Sequence, residues 1–128
     1  MTAPRVEIDL DKICHNARIL VQRLADRGIS VTAVTKATLG SREIAGALLQ
    51  AGVVALGDSR IENIEAMRRA DVPSSMTLIR SPMLSQASRV VGQADISFNT
   101  EPDVISKLSA FAQEARRTHG VVLMVELG

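Results

Sequence analysis

The sequence predicts an α/β protein built on a parallel sheet, and three features carry that prediction. Strand-like and helix-like segments alternate along the 128 residues. The strand-like segments are short and either β-branched or continuously apolar, as expected for strands buried on both faces. The helix-like segments repeat apolar residues at three- and four-residue spacing, and several stop at a glycine. Such alternation joins parallel strands through right-handed crossovers. Two architectures satisfy it: an open doubly wound sheet, or part of a (β/α)8 barrel. Periodicity does not separate them. The sequence has no G-x-G-x-x-G after its first strand and no G-x-x-x-x-G-K-[ST] anywhere, which weighs against a nucleotide-binding open sheet.

The elements follow in order. Val6–Asp9 is a short strand-like stretch that leads into a helix from about Asp11 to Arg27, with Ile13, Ala17, Leu20 and Leu24 as its buried stripe and Gly28 as its stop. Ile29–Thr35 reads as strand, since Ile29, Val31, Thr32, Val34 and Thr35 are all β-branched. A helix over Ser41–Ala51 buries Ile44, Ala47, Leu48 and Ala51 and ends at Gly52; Val53–Leu56 is the next strand. Ser59-Arg60-Ile61-Glu62 has the form of a capping box and starts a third helix, with Pro73 beyond its end. Met76–Ile79 is a strand broken by Ser81-Pro82, and a short helix runs from Leu84 to Val91. Asp95–Phe98 is the next strand. Thr100 is placed to cap a helix whose first turn holds Glu101, Pro102 and Asp103 and whose buried face is Val104, Leu108, Phe111 and Ala115. Gly120 closes it, and Val121–Leu127 is a last strand. That makes about five strands after the first helix. A chain that stops directly after a buried strand suggests a truncated domain.

Composition narrows the function classes. Fifteen basic and 14 acidic residues leave a net charge of +1, so neither nucleic acid nor an anionic membrane surface is expected as a partner. Two Phe, with no Tyr or Trp, give no stacking platform for bases. Cys14 is the single cysteine, and His15 and His119, both placed on helices, have no Cys/His cluster nearby, so no metal site is expected. No apolar run approaches the roughly 18 residues of a membrane span, and no leader is visible, so a reducing cytoplasm is the expected compartment. The pairs Arg68/Arg69 and Arg116/Arg117 read as solvated faces, and Met67, Met76, Met83 and Met124 as core filler.

Lys36 is the leading candidate for chemistry. It follows the β-branched run, at the carboxyl end of a strand, which is the active-site face in both architectures. A lysine in a partly apolar site there loses hydration of its ammonium form, which favours a nucleophilic amine able to form a Schiff base. The plain alternative is a lysine that marks the strand end and reaches for water. Asp58, Ser59, Arg80, Ser81, Asn99 and Thr100 fall at equivalent places after later strands. Each could be only a turn former or cap. Arg80, held between its strand and Ser81-Pro82, is a candidate to face the site, with a surface ion pair as its alternative.

The segments Arg5-Val-Glu-Ile-Asp-Leu-Asp-Lys-Ile-Cys-His-Asn16 and Thr32-Ala-Val-Thr-Lys36-Ala resemble the opening and the strand-end lysine motif of the alanine racemase N-terminal-domain family. Gly57-Asp-Ser-Arg-Ile-Glu-Asn63, Ile79-Arg-Ser-Pro-Met-Leu84, Ala94-Asp-Ile-Ser-Phe-Asn99 and Val122-Leu-Met-Val-Glu-Leu-Gly128 resemble its ornithine racemase branch. The resemblance runs in order along essentially the whole chain. It implies a (β/α)8 TIM-type barrel, of which residues 1–128 would be the N-terminal portion, and a homodimer. It implies pyridoxal 5'-phosphate held on Lys36 as a Schiff base, an amino-acid substrate and racemisation, with Lys36 as one acid/base. Arg80 and Asn99 are assigned as contacts near the cofactor or substrate. The alternative within the same resemblance is a non-catalytic cofactor-carrying barrel; one of another class is an inactive half-barrel that self-associates through open strand edges. Two departures matter. Alanine racemases carry a Tyr four residues after the lysine, where this chain has Gly40; ornithine-racemase-like members also lack that Tyr, and the Tyr that serves as second base has no counterpart here either. The family's cofactor-ring Arg and phosphate loops would fall beyond Gly128, so these 128 residues alone are expected to hold the cofactor weakly.

Overall fold

The computed structural model describes residues 3–128. Its elements are α1 (Leu10–Ala25), β1 (Thr32–Val34), a 3-10 turn (Lys36–Thr38), α2 (Arg42–Gln50), β2 (Ala55–Asp58), α3 (Ile61–Arg69), β3 (Ser75–Leu78), a 3-10 turn (Leu84–Gln86) running into α4 (Ala87–Gln93), β4 (Ile96–Asn99), α5 (Pro102–Glu114) and β5 (Gly120–Leu123). The five strands form one sheet in the order β1-β2-β3-β4-β5, and every pair is parallel.

That order decides between the two architectures. A doubly wound sheet reverses its strand order at a switch point and so carries helices on both faces. Here each strand lies beside its successor, and crossovers of one hand bring the helices to one face. Cross-strand partners share a face: Ala33, Leu56 and Met76 lie in one row, and Asp58 and Leu78 in the next. Leu56, Met76 and Leu78 join Ile64 and Met67 of α3, Val90 and Val91 of α4 and Leu108 of α5 in a single core. The other face carries Thr32, Val34, Gly57, Thr77, Ile96 and Val122 and has no helix layer among the described residues; Val34 is 49% exposed and Val122 41%. This is the singly wound arrangement of a barrel wall.

α1 starts at Asp9, whose side chain accepts from the Lys12 amide, and packs on α2 through Cys14 with Ala47 and Ala51. Leu20, expected on the buried stripe, is half exposed; the line of contact runs through Ile13, Cys14, Ala17 and Val21 instead. Several other expectations are corrected. Val6–Asp9 forms no strand, and Val6 is almost fully exposed. α3 has no capping box: its N-cap is Arg60, and the Arg60 amide donates to the Asp58 carboxylate two residues earlier. Thr100 does not cap α5, whose N-cap is Glu101; its hydroxyl lies 3.2 Å from Ser81 Oγ and links two loops. Met67 and Met76 are core, but Met83 and Met124 are exposed. Arg68 is no solvated surface residue. Its guanidinium donates to the Gln93 and Ser74 carbonyls and to Asp95 Oδ2, at 2.9, 3.0 and 2.8 Å, and so ties the approaches to β3 and β4 together.

Candidate active site

The carboxyl end of β1 is built more firmly than its three residues suggest. Thr35 lies one residue past the strand, with φ −100° and ψ 0°, in the sparsely populated bridge region. All its polar groups are engaged. Its amide donates to the Gly57 carbonyl at 2.9 Å, its hydroxyl to Asp58 Oδ2 at 2.7 Å, and its carbonyl accepts from the Thr38 amide and hydroxyl at 3.0 and 2.9 Å. Asp58, at the end of β2, is wholly buried, and its other oxygen accepts from the Arg60 amide at 2.9 Å and Asn63 Nδ2 at 3.1 Å. A buried carboxylate is costly unless its lone pairs meet donors, and here three donors meet it. One clamp therefore joins β1, β2 and the first turn of α3.

Lys36 is the residue after Thr35 and opens the 3-10 turn. Its side chain is exposed, and among the described residues nothing hydrogen-bonds its amine. The expected partly dry pocket around this amine is thus not formed by these residues. The physical reason is the face of the sheet on which, among the described residues, no second layer excludes water from the strand tips. The position at the strand end stands as expected.

Arg80 and Asn99 do not gather around Lys36. Strands lie ~4.8 Å apart, so the tip of β3 stands roughly 10 Å from that of β1 and the tip of β4 farther still. Arg80 is exposed, pairs with no carboxylate among the described residues, and lines a cleft of about 340 Å³ with Ser59, Arg60, Glu62 and Ser81 at the start of α3. Asn99 is completely buried on the helix-covered face, where its Nδ2 donates to Ser97 Oγ and to the Ser97 carbonyl, both at 2.9 Å. That carbonyl can only accept, which fixes the amide orientation and leaves Oδ1 without a partner. Ser97 Oγ in turn lies 2.8 Å from His119 Nε2, and His119 Nδ1 lies 3.2 Å from the Ala94 carbonyl. Since that carbonyl too only accepts, Nδ1 carries the proton and Nε2 accepts from Ser97. His119, expected on a helix, sits in the loop before β5. Among the described residues no cluster of His, Cys, Asp or Glu suits a metal ion, and no helix is long and apolar enough to cross a membrane.

Comparison with known proteins decides the family. The model of the alanine racemase N-terminal domain matches residues 8–128. The chain belongs to that family. It is 36% identical over 128 residues to a lysine racemase of Thermotoga maritima, covering all of this chain and 36% of that protein. It is 32% identical over 125 residues to an ornithine racemase of Acetoanaerobium sticklandii, covering 98% and 35%. The chain therefore spans about a third of the length of the curated relatives it matches. Among solved structures, a D-threonine aldolase from Filomicrobium marinum superposes with a TM-score of 0.86 at 16% identity, over 99% of this chain and 35% of that one. The alanine racemase of E. faecalis superposes with a TM-score of 0.69 at 22% identity, over 84% and 29%. At such identities the likeness shows the shared barrel fold.

Within this alanine racemase domain, Gly40 fixes the loop that follows the lysine. It has φ +67°, and a Cβ there would lie 2.8 Å from the Asn63 carbonyl oxygen. The loop is thus pressed against α3 and, in this backbone, has no room for any side chain at position 40. As for pyridoxal phosphate, an unpaired amine on a braced strand tip fits a carbonyl-bearing cofactor; Asn99, committed to Ser97 inside the helix layer, does not fit the contact assigned to it. Reading Asp58 as a turn former misses the clamp. A usable signal is present: an Asp at a strand end accepting from the amide two residues on is a recurrent turn device. Nothing in the sequence, however, pairs Asp58 with Thr35, 23 positions earlier.

Proposed function

We propose that this chain carries the cofactor lysine of a pyridoxal-phosphate-dependent amino-acid racemase, with Lys36 as that lysine and a basic amino acid such as lysine or ornithine as substrate. The observation that carries the reading is the place of Lys36: a free amine at the carboxyl end of a parallel strand, in a domain 36% identical to a lysine racemase. When bound, the cofactor supplies an electron sink for the pair left behind as the Cα proton departs. Lys36 has two tasks. Its Nζ would hold the cofactor, and as a free amine it would take or return the Cα proton on one face. Thr35 and Asp58 brace the strand from which it projects. Arg80, at the β3 rim, is assigned as a contact near the cofactor or substrate; Asn99 has no such role. Racemisation needs a second acid/base on the opposite face, and we assign none among these residues. A homodimer and a cytoplasmic setting belong to the same reading.

The test uses the protein expressed from its whole natural gene. Incubation with pyridoxal phosphate, borohydride reduction and peptide mass spectrometry should find the label on Lys36, with Lys12 and Lys107 as internal controls. Lys36→Ala should abolish both the label and the racemisation of L-lysine and L-ornithine. A label confined to another lysine, or an active Lys36→Ala protein, defeats the reading.

A further inference from the structure

Lys36 has no side-chain partner among the described residues, so its placement depends on its backbone, and the backbone at this point has little intrinsic support. β1 is three residues long and pairs with β2 alone among the described strands. Three residues of ladder give a strand end little support. What holds its end lies beyond the ladder. Thr35 hangs on Asp58 at 2.7 Å; Asp58 reaches the first turn of α3 at Arg60 and Asn63; and the Asn63 backbone packs under Gly40. Together Thr35, Asp58, Asn63 and Gly40 enclose the turn Lys36–Leu39 from both ends. Two further features mark the turn as constrained. Leu39 has φ +54°, a left-handed conformation that β- and γ-branched residues seldom adopt, and it is 73% exposed, so no burial of its own side chain offsets that conformation. A buried charge is also a poor way to gain stability, because apolar packing of similar volume does as well or better. Its value lies in direction: three donors at fixed angles allow one arrangement of strand end and helix start.

We propose that Asp58 is a positioning residue for Lys36, acting through the Thr35 hydroxyl and braced by Asn63, so that the amine leaves the strand tip in one direction. The proposal rests on the assignment of Lys36 as the cofactor amine. Position matters there because a displacement of about 1 Å at a reacting group can lower a rate ~100-fold.

Thr35→Val removes the hydroxyl at nearly constant shape, Thr35→Ser keeps it, and Asp58→Asn is the second probe should Thr35→Val fail to fold. The first readout needs no cofactor. Amide hydrogen exchange at Thr35, Thr38 and Gly40, whose amides donate to the Gly57 carbonyl and to the Thr35 carbonyl itself, should rise about tenfold or more in Thr35→Val, with the amides of β3 and β4 unchanged and Thr35→Ser close to the parent. The second uses the whole-gene protein loaded with pyridoxal phosphate. Thr35→Val should lose about tenfold in kcat with KM little altered, and the visible circular dichroism per bound cofactor should shrink, since that signal reports a fixed chromophore. Thr35→Ser should restore both. Parental exchange and dichroism in Thr35→Val, or a Thr35→Ser protein as impaired as Thr35→Val, overturns the proposal while leaving the role of Lys36 intact. If no cofactor fixes on Lys36 in the parent, the role of Lys36 falls, and the exchange measurement alone decides whether the clamp holds the turn.

Discussion

A methyl group at Gly40 would sit 2.8 Å from one carbonyl oxygen and 3.1 Å from the Asn63 Cβ, on a backbone with φ +67°. Both the space and the dihedral exclude a side chain, for separate reasons. The obstructing atom is backbone in the first turn of α3, so it cannot swing aside as a flexible side chain could. Gly40→Ala is therefore expected to cost about 2–3 kcal/mol, roughly one for the left-handed conformation and the rest for the displaced contact. Urea unfolding of the two proteins measures it; a loss under about 0.5 kcal/mol would mean that the loop and α3 separate freely. Neighbouring residues show why such effects hide in a sequence. Lys36 is legible because its place at a strand end follows from the β-branched run before it. Asp58 is visible as a residue but not as a partner of Thr35, because the parallel register Val34–Gly57 that brings them together is a property of the folded sheet. The inward turn of Asn99 is hidden for the same reason. One residue of register decides whether a strand-end side chain faces the helices or the open face.

The alternation of strands and helices is legible along the whole sequence, and the departures lie at element ends. The capping box expected at Ser59 and the cap expected at Thr100 both give way to competing contacts: the Arg60 amide donates to Asp58 at the end of the preceding strand, and the Thr100 hydroxyl lies against Ser81 of a neighbouring loop. The link between β4 and β5 shows how such a competing contact acquires a pH dependence. His119 accepts from Ser97 through Nε2 and donates to Ala94 through Nδ1. Burial lowers its pKa below the ordinary 6.5, and Arg117 adds to the effect, while the Ala94 hydrogen bond and Asp95 oppose it. The folded chain therefore favours neutral His119, and the unfolded chain binds the proton first as pH falls. Stability from this group is fully present above the ordinary value of 6.5 and is lost as pH drops through the lowered folded value. Glu65, held below its ordinary 4.5 chiefly by the Arg89 hydrogen bond, gives a loss of the same sign at lower pH. Between about pH 5 and 7.5 the His119 contribution is separated from that of Glu65. Chemical denaturation across that window should show stability falling with acidity in the parent and a flatter profile in His119→Gln. An equal slope in both proteins would remove His119 from the account.

The five-stranded wall as a unit has two unlike faces, and its stability should be distributed as unevenly as its burial. On the helix-covered face Leu56 has no exposed surface and lies among side chains of α3 and α4 in the one large core. Truncating it removes apolar contacts that the close-packed surroundings cannot fully replace, so Leu56→Ala is expected to cost about 2–5 kcal/mol. Val34 stands on the other face, one strand away, and is 49% exposed. Val34→Thr keeps the β-branched shape that suits a strand and exchanges a half-solvated methyl for a hydroxyl that water satisfies, so the change should stay within about 0.5 kcal/mol. In a closed barrel wall the second face is interior as well, and there the same Val34→Thr substitution would bury a hydroxyl and cost about 1–3 kcal/mol. The pair of substitutions therefore measures which face these residues keep dry: equilibrium unfolding of this chain should show a large loss for Leu56→Ala and almost none for Val34→Thr. Comparable losses for the two would mean that the open face is covered in solution, and that the environment of Lys36 at its rim is drier than the exposed amine implies.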